Sequence, residues 1–365
     1  MDTFYGWLLD AAESIASDVH LVAGYPATRR HHGELVPVSD HVLSSSGIEA
    51  CLKRICTTEE YDVFVRKRNL DFAFTLDSNG QLEKNVRPNG SGQRFRGNLF
   101  YSSGSVGACI RVIPSRIPEL EENNFPRDLA ERLASYRNGL IIFSGVSGSG
   151  KTTSMAMILN AMANEGGKRV ITIEDPVEYL FPNIGDSIIT QREVGRDVDC
   201  FSSGLRHALR QDPDIILVGE IRDAETARIA MSAAETGHLV LSTLHSRDAK
   251  GAITRLWDLF PPSQQNETQT MLAASLRGVV CQHLLPSSIA GERRELALEV
   301  VLRNNAVAAG VRAGRIDTLE TAILAGRRDG MVSLDDSLGQ LLREGRIAQE
   351  TALQFATDPR QLSRT

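Results

Sequence analysis

The sequence is poor in cysteine and has no long hydrophobic run. Its five cysteines are scattered, and no two of them form a C-x-x-C pair. This pattern excludes a C-x-x-C zinc clip or redox motif and favours reduced thiols in a cytoplasmic protein. No apolar run approaches the roughly 20 residues that a membrane-spanning helix requires. The first residues lack a basic region followed by an apolar core, so we expect no signal peptide and expect membrane association only through partners.

Basic charge and aromatic side chains are also scarce. Lys and Arg number 40 against 46 Asp and Glu, the net charge is −6, and aromatic residues make up 5%. An acidic balance gives no general attraction to nucleic acid, and no stripe of aromatic and basic residues is present. We therefore expect no direct nucleic-acid binding. The 365 residues, 42% of them hydrophobic, should form about two to three globular domains.

One glycine-rich stretch, Gly145–Thr153, fits the phosphate-binding pattern G-x-x-x-x-G-K-[ST]. The apolar run Leu140–Phe143 before it indicates a strand, and Ser154–Asn164 after it indicates a helix. Such glycines let backbone N–H groups converge on an anion, and the helix adds its positive end. We expect Lys151 to reach the β- and γ-phosphates and Thr152 to bind Mg²⁺. The residues predicted to hold a nucleoside triphosphate are Gly145, Ser147, Gly148, Ser149, Gly150, Lys151, Thr152 and Thr153.

Carboxylates follow two further predicted strands. Ile171–Glu178 is a short strand that ends in acidic residues, and Ile215–Val218 is an apolar strand that leads to Glu220. Ligands of open α/β sheets lie at the carboxyl ends of the strands. One carboxylate should hold Mg²⁺ through water and another should orient the attacking water. The competing interpretation is that these acids cap helices or lie on the surface.

The alternation of strands and helices from about Leu129 predicts an α/β domain with a parallel sheet. The region after Pro261 and Pro262 is predicted to be mostly helical. Residues 1–113 are predicted to form a small α+β domain. Residues 114–127, which carry three prolines among acidic residues, are predicted to form a linker to the domain at 128–365.

Four motifs in this order resemble those of the secretion ATPases of type II secretion and type IV pili, and within them the PilT-like retraction ATPases. They are Gly145–Thr153 (Walker A), Ile171–Glu178 (aspartate box), Leu209–Asp223 (Walker B) and Thr236–His245 (histidine box). The similarity extends from about residue 10 to about residue 355. It implies a PAS-like N-terminal domain before a RecA-like P-loop motor domain with a helical C-terminal part. It also implies a homohexameric ring that uses ATP and Mg²⁺.

Residue by residue, the resemblance implies the following roles. Lys151 and Thr152 bind phosphate and Mg²⁺. Glu178 is the general base, and Glu220 is the Walker B acid near Mg²⁺.

The resemblance also implies that two histidines and two arginines approach the γ-phosphate. His238 and His245 would lie close to it, although each could instead cap a turn. Arg96 and Arg111 would swing onto it from the N-terminal domain, and the alternative for each is a surface ion pair.

The leading hypothesis is a hexameric motor that couples ATP hydrolysis to type IV pilus retraction and twitching motility. It would be cytoplasmic and peripheral at the inner membrane through a platform protein. The stretch Ala306–Arg315 keeps only the outline of the retraction motif A-I-R-N-L-I-R-E, whereas the absence of a tetracysteine zinc module favours the retraction group. One alternative is an ATPase of a type IV or IVB secretion or conjugative transfer system. The other is a low-turnover nucleotide-binding regulator, against which the retained Glu178 and Glu220 argue.

Overall fold

The computed structural model describes residues 3–14, 16–31, 34–77, 81–83, 92–114, 116–182, 185–289 and 294–362. They divide into two compact units. Unit 1 comprises Met1–Arg116 and Glu178–Pro182, and unit 2 comprises Ile117–Val177 and Asn183–Thr365. The segment Glu178–Pro182, which the sequence places in the motor domain, therefore groups with the N-terminal residues. No helix among the described residues is long and apolar enough to cross a bilayer.

The described residues of unit 1 form an antiparallel sheet with three helices. Its elements are α1 (Thr3–Glu13), β1 (Asp18–Leu21), β2 (Pro26–His31), β3 (Glu34–Val42), α2 (Ser45–Ile55), α3 (Thr58–Lys67), β4 (Asn69–Leu76), β5 (Leu82–Glu83), β6 (Gln93–Ser102) and β7 (Ser105–Ile113). The strand order is β3-β2-β1-β7-β6-β4-β5. One face carries apolar residues such as Leu21, Phe95 and Ile110, which form a core with the helices. Edge strand β3 escaped sequence analysis because it is largely exposed and contains Pro37, so it lacks apolar alternation.

Unit 2 is a mixed sheet with many helices. Its strands are β8 (Gly139–Ser144), β9 (Arg169–Glu174), β10 (Ile188–Glu193), β11 (Ile215–Val218), β12 (Leu239–Leu244), β13 (Leu276–Leu285) and β14 (Glu295–Leu302). Its α-helices are α4 (Arg127–Ala134), α5 (Lys151–Asn164), α6 (Phe201–Ala208), α7 (Ala224–Glu235), α8 (Ala249–Asp258), α9 (Gln265–Ser275), α10 (Asn305–Arg312), α11 (Thr318–Ala325), α12 (Leu334–Arg343), α13 (Gln349–Phe355) and α14 (Pro359–Leu362). Short 3₁₀ helices span Glu121–Asn123, Pro262–Gln264 and Arg327–Asp329.

The sheet of unit 2 brings several chain segments to one edge. Its order is β10-β9-β11-β12-β8-β13-β14, and every neighbouring pair is parallel except β13 with β14. The residues that follow β8, β9, β11 and β12 therefore emerge at the same carboxyl edge, which is where α/β proteins bind ligands. The predicted α/β class is confirmed.

The region after Pro262 is less helical than predicted. Helix α9 is followed there by strands β13 and β14, which form an antiparallel pair, and the residues beyond β14 are again mainly helical. Six consecutive residues of β13, Gly278–His283, are buried. A strand that is buried on both faces has no alternation of apolar and polar residues, and here Gln282 and His283 interrupt its apolar character, so the pair could not be recognised from the sequence.

Candidate active site

The phosphate loop between β8 and α5 has the backbone conformation that its glycines allow. Gly145, Gly148 and Gly150 all have positive φ, at +147°, +77° and +88°. A Cβ atom on Gly145 would lie 2.4 Å from the Ser149 hydroxyl oxygen and 2.6 Å from the carbonyl oxygen of Gln282. The loop is therefore curled too tightly, and too close to β13, for any other residue at position 145.

Polar groups in this loop fit an oxygen-rich ligand. The Lys151 ammonium donates to the carbonyl oxygens of Gly145 and Val146 at 2.9 and 3.0 Å, so its charge lies at the loop. Lys151 is only 7% exposed. The Ser149 hydroxyl is buried and has no hydrogen-bond partner among the described residues. A buried cation and an unpaired buried hydroxyl are both satisfied by phosphate oxygens, so the loop fits a nucleotide.

Glu220 lies at the same edge, two residues beyond the end of β11. One of its carboxylate oxygens forms an ion pair with Arg222, and the other is 3.7 Å from Nε2 of His245. Arg222 is also 3.8 Å from the Asp175 carboxylate that follows β9. The structure thus brings acids from the predicted Walker B and aspartate boxes around one arginine.

His245 directly follows β12 and is electrostatically coupled to the phosphate loop. Burial and the positive charge of Lys151 lower the pKa of His245, and the negative charge of Glu220 opposes them. The neutral imidazole is therefore favoured near pH 7. One sheet edge therefore carries Lys151, Glu220 and His245. The sequence motifs predicted this position for Glu220 and His245.

His238 requires a correction. Its carbonyl oxygen accepts from the Gly139 N–H at the start of β8, and its Nδ1 lies 3.1 Å from the Ala233 carbonyl oxygen. The phosphate loop begins at the other end of β8, and a six-residue strand is about 20 Å long. Within one subunit, His238 therefore lies at the opposite edge of the sheet from the phosphate loop, where it caps a turn.

Arg96 and Arg111 lie together on one face of the sheet of unit 1. They are directly opposite each other on β6 and β7, an arrangement in which like charges repel. Carboxylates compensate for this: Asp71 is 3.5 Å from Arg96, and Asp18 is 3.1 Å from Arg111. Both arginines thus form the ion pairs that were the alternative interpretation of the sequence.

Glu178 belongs to the segment that groups with unit 1. Its carbonyl oxygen accepts from Nη1 of the buried Arg94 at 2.9 Å, while its side chain is half-exposed. Arg94 could not be singled out from the sequence, because nothing in the local pattern distinguishes it from Arg96 two residues later. The role of Glu178 as general base stays a prediction.

Magnesium would have few protein ligands here. Among the described residues, no group of three or more His, Cys, Asp or Glu is arranged to hold a metal. Mg²⁺ in nucleotide sites is held mainly by water and phosphate with one or two protein oxygens. The hydroxyl of Thr152 and the carboxylate of Glu220 are suitable hard donors, so the predicted ligand pair is chemically consistent with Mg²⁺.

A row of polar side chains crosses the sheet beside the phosphate loop. Ser144 on β8 is paired with Cys281 on β13, and Cys281 with Glu299 on β14. The Glu299 carboxylate accepts from the Ala249 N–H at the start of α8 at 2.7 Å. Burial raises the pKa of Glu299 from 4.5 to about 7, and the bond from Ala249 opposes this shift. Glu299 could not be predicted from the sequence, because the strand that carries it has no recognisable pattern.

Glu299→Gln should change how stability depends on pH. Because the pKa of Glu299 is raised in the folded protein, the folded state binds this proton more tightly than the unfolded state does. The stability that the proton contributes is complete below about pH 4.5 and is lost as pH rises through about 7. The free energy of unfolding of the variant relative to the parent should therefore rise by about 2 kcal/mol between pH 5 and pH 8. Asp248 and Glu320 add to the effect through their charges, and Cys281 opposes it by hydrogen bonding.

Urea denaturation of both proteins across this pH range measures the effect. Glu165→Gln, which makes the same charge change at an exposed position at the end of α5, is the matched control. If the difference in unfolding free energy between Glu299→Gln and the parent does not change with pH, the Glu299 carboxyl titrates normally in the folded protein.

Comparison with known proteins agrees with this geometry. Residues 107–360 match the family model described as Type II/IV secretion system protein. The type IV pilus retraction ATPase PilT of Pseudomonas aeruginosa is 36% identical over 349 residues, covering 96% of each chain. An uncharacterized Escherichia coli protein, YggR, is 37% identical over 91% of this chain and 95% of its own.

A crystal structure of the pilus retraction motor PilT with bound ADP superposes with a TM-score of 0.83 at 35% identity, and the match covers 99% of both chains. The bound ADP supports nucleotide use by this fold. The chain belongs to the type II/IV secretion system protein family and is a P-loop ATP hydrolase with a RecA-like α/β motor fold.

Proposed function

We propose that this protein is a hexameric motor that couples ATP hydrolysis to retraction of a type IV pilus. The observation that carries the proposal is the convergence of Lys151, Glu220 and His245 at one sheet edge, in a chain that resembles a pilus retraction ATPase along 96% of its length. The ring, Mg²⁺ and an inner-membrane platform partner belong to this proposal. The protein would act in the cytoplasm and reach the membrane through that partner.

The proposal assigns roles to the residues of unit 2. The N–H groups of the phosphate loop and the Lys151 ammonium hold the phosphates, with the remaining loop positions Ser147 and Thr153 beside them. Thr152 and Glu220 hold Mg²⁺, which when bound neutralises charge on the phosphate oxygens. Neutral His245 hydrogen-bonds the γ-phosphate.

Three residues of unit 1 complete the proposal. Glu178 orients the attacking water as general base. Arg96 and Arg111 neutralise the charge that develops on the γ-phosphate, for which each must exchange its present carboxylate partner. The Arg96–Asp71 pair is partly exposed on both sides, and pairs of this kind contribute about 1 kcal/mol or less, so Arg96 exchanges its partner at little cost. Asp18, the partner of Arg111, is buried, so the exchange at Arg111 costs more.

The test measures ATP turnover and twitching together. The purified parent with Mg²⁺ should turn over ATP as a hexamer, and Glu178→Gln should lower kcat on the order of 100-fold because an amide cannot accept the proton. The exposed Glu165→Gln substitution makes the same charge change and should leave kcat unaltered. In a deletion strain, the parent gene should restore twitching and Glu178→Gln should not. A parent that binds ATP without turnover would instead be a regulator.

A second candidate is an ATPase that drives secretion or transfer, and it rests on the family description, which covers type II and type IV secretion. The deletion strain separates the two candidates. Loss of twitching with intact secretion supports the pilus motor. Loss of protein or DNA transfer with normal twitching supports the second candidate.

A further inference from the structure

We propose that Ser144, His283 and Glu299 are positioning residues that hold the histidine loop, residues 245–249, in register with the phosphate loop. The histidine loop connects β12 to α8 and carries His245 at its start. Through it, the three side chains would set the position of His245 against Glu220 and thereby the rate of ATP turnover. The inference rests on the proposed role of His245 at the γ-phosphate.

The first contact links the two loops directly. The Ser144 hydroxyl accepts from the Ser246 N–H at 3.0 Å and is also 3.0 Å from the Ser246 carbonyl oxygen, to which it donates. Ser144 is fully buried and immediately precedes Gly145. One hydroxyl therefore fixes the residue after His245 to the residue before the phosphate loop.

The next two contacts come from the two strands beyond β8. Nε2 of the buried His283 on β13 lies 2.9 Å from the Arg247 carbonyl oxygen. Burial lowers the pKa of His283, so the neutral ring donates through Nε2–H. The Glu299 carboxylate on β14 accepts from the Ala249 N–H. Adjacent strands thus hold Arg247 and Ala249, two residues apart in the histidine loop.

The strand register explains why these side chains act on one loop. Ser144, Cys281 and Glu299 are lateral neighbours across β8, β13 and β14, and His283 is two residues beyond Cys281, so all four side chains share one face. Helix α8 packs against the same three strands. Gln282 points to the other face, where it donates to Ser154 of α5 at 2.7 Å. Strand β13 therefore contacts both the histidine loop and the helix that follows the phosphate loop.

Side chains supply hydrogen bonds to the backbone of this loop. The peptide groups of Ser246, Arg247 and Ala249 bond to Ser144, His283 and Glu299. Removing one of these side chains breaks a part-buried hydrogen bond of the loop, and the loop then shifts as the freed peptide group turns toward water. A shift of about 1 Å at His245 is enough to lower turnover strongly.

The experiment measures kcat and nucleotide affinity separately. Glu299→Ala should lower kcat on the order of tenfold, whereas the Kd of a fluorescent ADP derivative should stay within about twofold. Glu299→Gln keeps an oxygen that accepts from Ala249 and should retain the parent kcat. Ser144→Ala, a small change that should preserve folding, should also lower kcat and provides the test if Glu299→Ala does not fold.

A double-mutant cycle distinguishes positioning from a general structural defect. If Glu299 acts through His245, the kcat of His245→Ala/Glu299→Ala should equal that of His245→Ala alone. Asn304→Ala removes a comparable side-chain cap, the bond from Val307 at the start of α10, and should leave kcat unchanged. Independent, multiplicative losses in the cycle would overturn the inference, and so would unaltered turnover in Glu299→Ala or Ser144→Ala.

Failure of the proposed function has a different signature. A parent without ATP turnover refutes the motor itself, and full activity in His245→Ala refutes the role of that histidine. An active parent with an impaired His245→Ala variant leaves only the positioning of the histidine loop under test.

Discussion

Lys151→Ala is expected to lower kcat/KM for ATP by at least about 100-fold, equivalent to roughly 3 kcal/mol of transition-state stabilisation. The Lys151 ammonium is largely buried at the phosphate loop and donates to the Gly145 and Val146 carbonyl oxygens. In such a site a charge acts on the phosphates with little screening by water. Its loss removes both the attraction to the phosphates and two bonds that shape the loop.

The measurement is steady-state ATP hydrolysis with a parallel titration of nucleotide binding. Lys53→Ala is the matched control, because it removes the same charge at an exposed position on α2, where Lys53 pairs with Glu49 and its ammonium lies over the Tyr61 ring. It should leave kcat/KM unaltered. A kcat/KM for Lys151→Ala within about threefold of the parent would mean that this lysine does not contact the phosphates in the reacting state.

Gly145→Ala is expected to destabilise unit 2 by about 4 kcal/mol, through backbone strain together with overpacking. The φ of +147° disfavours any residue with a Cβ atom. The added atom would also lie 2.6 Å from the carbonyl oxygen of Gln282, which is backbone of β13 and cannot rotate away. The loop or the β8–β13 pairing must therefore shift.

Thermal unfolding without nucleotide tests this prediction, with Gly148→Ala as the control. Gly148 also has a positive φ, at +77°, but a Cβ atom there would meet no heavy atom of the described residues within 4 Å beyond its chain neighbours. Its substitution should cost only strain of about 1 kcal/mol. The expected decreases in Tm are about 10 °C for Gly145→Ala and about 3 °C for Gly148→Ala. Equal decreases would show that strain alone, without the contact to β13, accounts for the need for glycine.

The phosphate loop could be predicted from the sequence because its geometry is local. Positive φ at Gly145, Gly148 and Gly150 and the position of Lys151 depend on residues that are adjacent in the chain. A strand before the loop and a helix after it are sufficient context, and both are present as predicted. The positions of Glu220 and His245 beside the loop could be predicted for a related reason, since the ends of parallel strands meet at one edge.

The length of β12 explains why the predicted position of His238 was wrong. His238 and His245 lie within one motif, but the six residues of β12 separate them. An extended strand carries its two flanking residues to opposite edges of the sheet. The distance along the strand, rather than membership of the motif, decides which histidine lies beside the phosphate loop.

The sequence alone determined the α/β class, the phosphate loop and the family to which this chain belongs. Only the tertiary structure decided which groups support that loop: the pairing of Ser144 with Cys281 and of Cys281 with Glu299 joins residues far apart in the chain. The tertiary structure also decided that Arg96 and Arg111 lie opposite each other on adjacent strands. Asp71 lies beside Arg96, and Asp18 lies beside Arg111. The physical reason is that strand register is set by the packing of whole sheets, so no local pattern records which distant side chains become neighbours.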